Sequence, residues 1–322
     1  MTNTLDLSVV VPLYNEAESL PELTAWVDRV CQAHGIRYEM ILVDDGSKDK
    51  SWSVIEDLQK SNNNLRGISF RRNHGKSAAL YVGFEQAQGE VVITMDADLQ
   101  DSPDEIPPLM AMIREENFDL VSGWKKKRYD PITKTLPTKL FNAAARKMSG
   151  IYLHDFNCGL KAYKKEVAKA VEVQGEMHRY IPVLAKMKGY SNIGERVVQH
   201  QARKYGTSKF GMNRFINGLL DLVTITMVSR FARRPMHLFG TMGLLMFFVS
   251  GVALAVIGGM KLYNMANGAN PGRVVEDPYF FIFLTSMVIG TQLFVTGLLA
   301  ELVVRSNRRK PDYSIGRTIN LD

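Results

Sequence analysis

The chain has 322 residues, enough for one catalytic domain plus an accessory segment, and a formal net charge of +7. That excess fits an acidic partner: nucleotide phosphates, nucleic acid or an anionic membrane surface. Its two cysteines, Cys31 and Cys158, have neither pairing nor metal-type spacing, which argues against a disulfide framework and for a reducing compartment.

Met1 to Asp6 is polar and contains no basic region before an apolar core, so no secretory signal is expected. From Leu7 to about Gly123, short apolar runs alternate with amphipathic stretches. Leu7–Pro12, Tyr38–Val43, Leu65–Phe70, Val91–Met95 and Asp119–Ser122 predict buried strands. Glu18–His34, Ser51–Ser61, Lys76–Gln88 and Pro103–Glu116 carry helical spacing. The alternation predicts an α/β domain with a mostly parallel sheet and helices on both faces. Ligands of such sheets bind beyond the carboxyl ends of the strands, where this chain places its polar clusters.

Lys125 to Gly211 is mixed and basic, with helix candidates at Lys134–Gly150, Lys165–Gln174 and Arg179–Lys188. Phe210–Arg234 is amphipathic and predicts helix at a membrane interface; a buried core helix is the alternative. Leu238–Met260 and Tyr279–Ala300 contain no charged residue. At 1.5 Å per residue, roughly 23 helical residues reach about 35 Å, enough for a hydrocarbon core of about 30 Å. Arg230, Arg233 and Arg234 precede the first stretch, and Arg305, Arg308, Arg309 and Lys310 follow the second. In the loop between them, Lys261 and Arg273 are offset by Glu276 and Asp277. Positive-inside reasoning predicts a hairpin anchor with both flanks in the cytoplasm. The domains expected are a cytoplasmic catalytic domain over 1–209, juxtamembrane helices over 210–235, two spans over 236–304 and a basic tail over 305–322. Because much of the basic excess lies beside the apolar stretches, membrane apposition is favoured over nucleic acid.

The strongest local motif is Asp96-Ala97-Asp98-Leu99-Gln100-Asp101, directly after a predicted strand. Two carboxylates one residue apart can hold Mg²⁺ or Mn²⁺ and leave positions open for phosphate oxygens. Such a cation would neutralise a leaving nucleoside diphosphate. Asp101 or Ser102, before Pro103, also fits a helix N-cap. Asp44-Asp45-Gly46-Ser47 follows the second strand. Its acids could accept bonds from a base or ribose, with Gly46 allowing a positive-φ turn, although it is also a common turn sequence. Tyr14 could flank a base, and Glu16 could reach a ribose or cap the next helix. Lys76, opening a helix after Asn73-His74-Gly75, offers a cation near phosphates or is simply a solvated lysine.

PLYNE, DDGS, NHGKSAAL and DADLQD, in this order and spacing, resemble the inverting family 2 glycosyltransferases with a Rossmann-like GT-A fold. Asp155-Phe156-Asn157-Cys158-Gly159, His178-Arg179-Tyr180-Ile181-Pro182 and Arg203-Lys204-Tyr205-Gly206-Thr207-Ser208-Lys209 are similar to the polyprenyl-phosphate glycosyltransferases. That group includes dolichyl-phosphate mannose synthases and bactoprenyl glucosyltransferases, and the two apolar stretches resemble the bacterial members' anchor. The resemblance implies a single-sugar transfer from a nucleotide sugar, UDP-glucose or GDP-mannose foremost, to a polyprenyl phosphate at the bacterial inner membrane. It implies that Pro12, Tyr14, Glu16 and Asp45, beside Asp44, hold the nucleoside. Asp96, Ala97 and Asp98 would face the diphosphate, with Asp96, Asp98 and Gln100 as metal contacts. Arg203 and Lys209 would close over the donor from a loop, and Asp155 matches an aspartate near the acceptor. Relatives often have an arginine after the strand ending near Ser122; here Lys125 or Arg128 would supply that cation.

Three rivals stand beside this reading. A processive polysaccharide synthase would need more spans, and a non-catalytic nucleotide-sugar-binding protein would not need Asp96 and Asp98. A membrane-tethered nucleic-acid binder leaves the acidic strand-end clusters unexplained, and a homo-oligomer is left open.

Overall fold

A computed structural model describes residues 5–126, 142, 145–146, 149–173, 175, 177–201, 204, 235–268, 270 and 272–306. The chain divides into two units; among the described residues, the first holds seven strands and the second two long helices.

In the first unit, β1 (Leu7–Leu13) and β2 (Tyr38–Asp44) are buried at every position, which is why their sequences run apolar instead of alternating. They are joined by α1 (Leu20–Ala33). Then come α2 (Ser51–Ser61), β3 (Leu65–Ser69), α3 (Lys76–Gln86), β4 (Val91–Thr94), α4 (Ile106–Arg114) and β5 (Leu120–Trp124). The sheet order is β3-β2-β1-β4-β6-β5-β7, with β6 spanning Lys161–Lys164 and β7 Ile193–Val197. β1, β2, β3 and β4 pair in parallel, whereas β6 runs antiparallel to both β4 and β5. β7 returns parallel to β5.

Successive side chains of β1 and β2 feed opposite layers. Val9, Val11, Met40 and Leu42 pack with Leu20, Leu23, Val27 and Leu109 on one face. Val10, Ile41 and Val43 pack with Ala79, Leu80, Phe84 and Val167 on the other. Each such fully buried aliphatic or aromatic side chain contributes roughly 1.5–3 kcal/mol. The core therefore fixes the four parallel strands, and their carboxyl ends carry the polar turns.

Two short strands, β6 and β7, lie within the stretch where the sequence predicts only helices. The helix expected over Lys165–Gln174 is α5 (Lys165–Ala170), and that expected over Arg179–Lys188 is a 3₁₀ turn, Met177–Tyr180, followed by α6 (Ile181–Met187). Of the helix expected over Lys134–Gly150, Asn142, Ala145, Arg146 and Ser149 are helical, Gly150 ends it at φ +63°, and the rest lies outside the described residues. The amphipathic segment from Phe210 to Arg234 also lies outside them, as do Arg128, Arg203, Lys209 and the tail after Ser306.

The second unit is α7 (Pro235–Ala266) and α8 (Pro278–Ser306), both long and apolar enough to cross a membrane. They pack closely at Gly243 and Gly290: a Cβ on Gly243 would lie 2.5 Å from the Gly290 carbonyl oxygen. Their outer faces leave Leu245, Phe248, Val252, Ile282 and Leu299 more than half exposed, suited to lipid and not to water.

Candidate functional site

The site is assembled from the turns that follow β1, β2 and β4. Because β1 and β2 are parallel neighbours with Leu13 opposite Asp44, their exits lie side by side. The Asn15 amide donates to Ser47 Oγ at 2.8 Å, and Asn15 Oδ1 accepts the Lys48 amide at 2.8 Å. The Glu16 amide donates to Ser51 Oγ at 3.0 Å. These bonds tie the Tyr14–Glu16 turn to the DDGS turn. Asp44 serves its own turn, accepting from the Ser47 amide at 2.9 Å and from Ser69 Oγ at 3.1 Å. Gly46 has φ +69°, as the sequence predicts, and any Cβ there would come within 2.5 Å of the Arg72 backbone.

Asp45 looks the other way. Its carboxylate accepts the amides of His74 at 2.6 Å and Gly75 at 2.9 Å, which pins the loop that opens α3. Lys76 follows immediately, and its ammonium forms an ion pair with Asp96 at the end of β4. Both side chains remain about a third exposed, at 32% each.

The acid turn after β4 is tightly wound. Leu99 adopts φ +57°, and the Gln100 amide donates to Asp98 Oδ1 at 3.2 Å. The Gln100 carbonyl accepts the Gln201 amide at 2.9 Å, with His200 Nδ1 at 3.1 Å. Asp101 is fully buried, with the Lys125 ammonium 2.6 Å from its Oδ1, while its Oδ2 has no hydrogen-bond partner among the described residues. The N-cap of the following 3₁₀ turn is Ser102, whose Oγ accepts the Asp104 amide at 3.3 Å. Asp101 is thus no cap, because its carboxylate turns inward to Lys125.

These charges shape one another. Burial presses the Asp96 carboxyl upward, but Lys76 and Lys125, with His178 behind them, outweigh it and hold the group well below the usual carboxylate range. Burial, opposed by Lys125 and aided by Asp96 and Asp98, raises Asp101. Burial alone would lower Lys125; Asp101 and Asp96 instead hold it firmly protonated.

β6 supplies contacts that sequence reasoning missed. Lys161 is buried and donates to the carbonyls of Phe156, at 3.2 Å, and of Cys158; burial lowers its pKa. Thr94 Oγ1 donates to the Gly159 carbonyl at 2.8 Å, bringing Gly159 against Asp96. A Cβ at 159 would lie 2.4 Å from Asp96 Oδ2. His178, in the HRYIP motif, is placed by Ser77, whose Oγ accepts its amide at 3.1 Å and lies 3.2 Å from Nδ1. A small recess between β4, β6 and α3 is lined by Lys76, Asn157, Lys161, His178 and Arg179. A lysine among apolar neighbours was the available sign of Lys161, while Gly159 and Ser77 fall inside the DFNCG and NHGKSAAL motifs without having been given a role there.

Asp155 is buried before β6. Its Oδ1 accepts the Asn157 amide at 3.0 Å, and its own amide donates to Glu195 Oε1 at 3.0 Å. Glu195 also meets His154, which stacks on Trp124 with ring centroids 4.0 Å apart. Among the sequence-predicted site residues, the structure gathers Lys76, Asp96, Ala97, Asp98, Gln100 and Lys125 around the β4 exit. It places Pro12, Tyr14, Glu16, Asp44 and Asp45 on the neighbouring β1 and β2 exits.

Among the described residues, no three His, Cys, Asp or Glu side chains are gathered for a metal. The donor set still suits a hard divalent cation that takes its remaining ligands from a diphosphate. Asp96 and Asp98 offer carboxylate oxygens, Gln100 offers an amide oxygen, and the buried Asp101 Oδ2 has no hydrogen-bond partner among the described residues.

Acid pairs and lysines beyond the ends of a doubly covered, mostly parallel sheet define a protein that handles phosphorylated nucleotides. The comparisons make the class specific. Residues 8–171 match glycosyl transferase family 2, and the chain belongs to that family, within its polyprenyl-phosphate sugar transferase group. It is 33% identical over 318 residues to a dodecaprenyl-phosphate galacturonate synthase of Rhizobium johnstonii, covering 97% of this chain and 92% of that one. It is 35% identical over 320 residues to an undecaprenyl-phosphate 4-deoxy-4-formamido-L-arabinose transferase of Proteus mirabilis, covering 98% and 94%. Its fold is GT-A-like. A Mycobacterium tuberculosis glucosyl-3-phosphoglycerate synthase, solved with Mn²⁺ and UDP-glucose, superposes with a TM-score of 0.54. That match covers 70% of this chain and 79% of that one at 19% identity.

Proposed function

We infer that the protein transfers a single sugar from a nucleotide-sugar donor to the phosphate of a polyprenyl lipid at a bacterial membrane. The observation that carries this is the extent of the likeness. Similarity to enzymes named for dodecaprenyl and undecaprenyl phosphate spans 97% and 98% of the chain, catalytic unit and long apolar helices alike.

Pro12, Tyr14 and Glu16, tied to the DDGS turn, form the nucleoside side of the cleft. Asp44 stiffens that turn, and Asp45 acts through the loop that presents Lys76. Asp96, Asp98 and Gln100 would hold Mg²⁺ or Mn²⁺, which when bound supplies positive charge at the leaving diphosphate. Ala97, between the two acids, leaves room for the diphosphate. Lys125 holds the acid turn through Asp101. Arg128, Arg203 and Lys209 are assigned to the donor on resemblance alone.

A lipid monophosphate is largely ionised near neutrality, its second pKa being about 6. Its oxygen can attack the anomeric carbon without a strong base, and a single in-line displacement inverts the configuration. The protein's work is then positioning and charge management, with Asp155 orienting the acceptor side. The arginine-rich flanks support, by positive-inside reasoning, a topology with both termini in the cytoplasm and the cleft on the cytoplasmic side of the inner membrane.

The test uses purified full-length protein, undecaprenyl phosphate and labelled nucleotide sugars covering hexose, uronate and formamido-pentose donors. The expected product is a lipid-linked monosaccharide, and Asp98→Ala is expected to lower its rate by about 10²-fold or more. A polymer would point to a processive synthase, and binding without turnover to a non-catalytic protein. Full activity in Asp98→Ala would remove the acid turn from the mechanism.

A further inference from the structure

We propose that Lys76 is the resident counter-ion of the acid turn. Its ammonium neutralises Asp96 while the cleft holds no donor, and moves to a diphosphate oxygen when cation and nucleotide sugar enter together. This rests on the reading of the acid turn as the donor's diphosphate site.

Four observations carry it. The Lys76–Asp96 pair is neither buried nor free: each side chain is 32% exposed, so the pair opens to the cleft and can be exchanged. The backbone before Lys76 is pinned, since both oxygens of Asp45 accept the amides of His74 and Gly75, and only the flexible four-carbon stem has to move. Asp96 cannot move toward Gly159, because its Oδ2 already lies where even a Cβ would collide, and this backing keeps its Oδ1 turned to Lys76. The recess behind Lys76 is already lined by Lys161, His178 and Arg179, so it repels the ammonium and turns it toward Asp96 or an incoming phosphate.

The formal charges make cation and nucleotide interdependent. Lys76 pairs with Asp96 and Lys125 with Asp101, so each of these acids already holds a cation. A divalent cation arriving alone would have to displace the Lys76 ammonium from Asp96 and would meet it at close range. A cation with a doubly charged nucleotide sugar arrives neutral and gives Lys76 a new anionic partner.

The test is Mn²⁺ binding to full-length protein in detergent, followed by the electron paramagnetic resonance of free Mn²⁺ with and without UDP. The unaltered protein is expected to bind Mn²⁺ at least about tenfold tighter with UDP than without it. Lys76→Met is expected to bind Mn²⁺ alone about tenfold tighter than the unaltered protein and to lose most of the UDP enhancement, whereas Lys76→Arg keeps both properties. Lys76→Gln is the second variant should Lys76→Met not fold. Unchanged or weaker Mn²⁺ binding without UDP in the charge-removed variant overturns the proposal. Asp98→Ala separates the two readings: if it binds Mn²⁺ as the unaltered protein does, the diphosphate site itself is misplaced.

Discussion

Gly159 and Asp96 meet at the end of β4, and the contact decides how the first acid of the turn is presented. Adding one methyl group at 159 would place a carbon 2.4 Å from Asp96 Oδ2, so the carboxylate must rotate and leave Lys76. Gly159→Ala is therefore expected to cost about 1–3 kcal/mol through overpacking and to slow sugar transfer at least tenfold in protein that remains folded. Rate measurements beside a thermal unfolding curve check this, and a fully active variant would show that the approach is not needed for function. The acids of this site were legible because carboxylates at the end of an apolar run are visible in one dimension. The partners were not. Gly159 and Ser77 reach Asp96 and His178 only through contacts distant in sequence, and so does the pairing of Lys125 with Asp101.

Between elements, the parallel half of the sheet is locked at its amino ends by an ion-pair cluster. Asp6, just before β1, accepts Arg37 Nε at 3.0 Å, the Arg37 amide at 3.0 Å and Arg114 Nη2 at 3.2 Å; Arg114 also reaches Glu90 at 2.6 Å. The Arg37 hydrogen bonds, joined by Arg114, lower the Asp6 pKa to about 2 against an unfolded value of about 3.9. A depressed carboxylate contributes stability above its unfolded pKa and loses it as pH falls through the folded one. Asp6→Asn is expected to cost roughly 1 kcal/mol at pH 7, a figure kept small by the 53% exposure of Arg37. The difference should close between about pH 4 and pH 2. Denaturant unfolding at both pH values reads it, and a gap that persists in acid would mean the aspartate acts by shape and not by charge. The same sheet shows what pattern-reading can reach. β1, β2, β4 and β5 announce themselves as apolar runs because both of their faces are covered, whereas β3 buries only Leu65. β6, KAYK, has only four residues and keeps a buried lysine, and β7, IGERV, is partly exposed along most of its length. Their strand character comes from pairing with β4 and β5 across long sequence separations, and no short window contains that information.

At the scale of the whole molecule, catalysis and anchoring draw on separate cores. Both apolar clusters of the sheet unit are built from residues between Leu7 and Val198, and the two long helices bury their small residues against each other. The helices are therefore expected to determine where the cleft works more than whether it works. A polyprenyl tail of roughly 55 carbons, held in the bilayer at about 0.8 kcal/mol per CH₂, does not come out to meet a soluble enzyme. A chain ending at residue 234 is expected to transfer sugar to a short, water-soluble polyprenyl phosphate within about threefold of the full-length rate, since that acceptor diffuses to the cleft. With undecaprenyl phosphate in vesicles the same truncation should lose about tenfold or more, because the second encounter is no longer confined to the membrane plane. The comparison of two acceptors separates location from architecture. Equal losses on both would mean that the spans hold the cleft in shape, and the division of labour inferred from the two cores would fall.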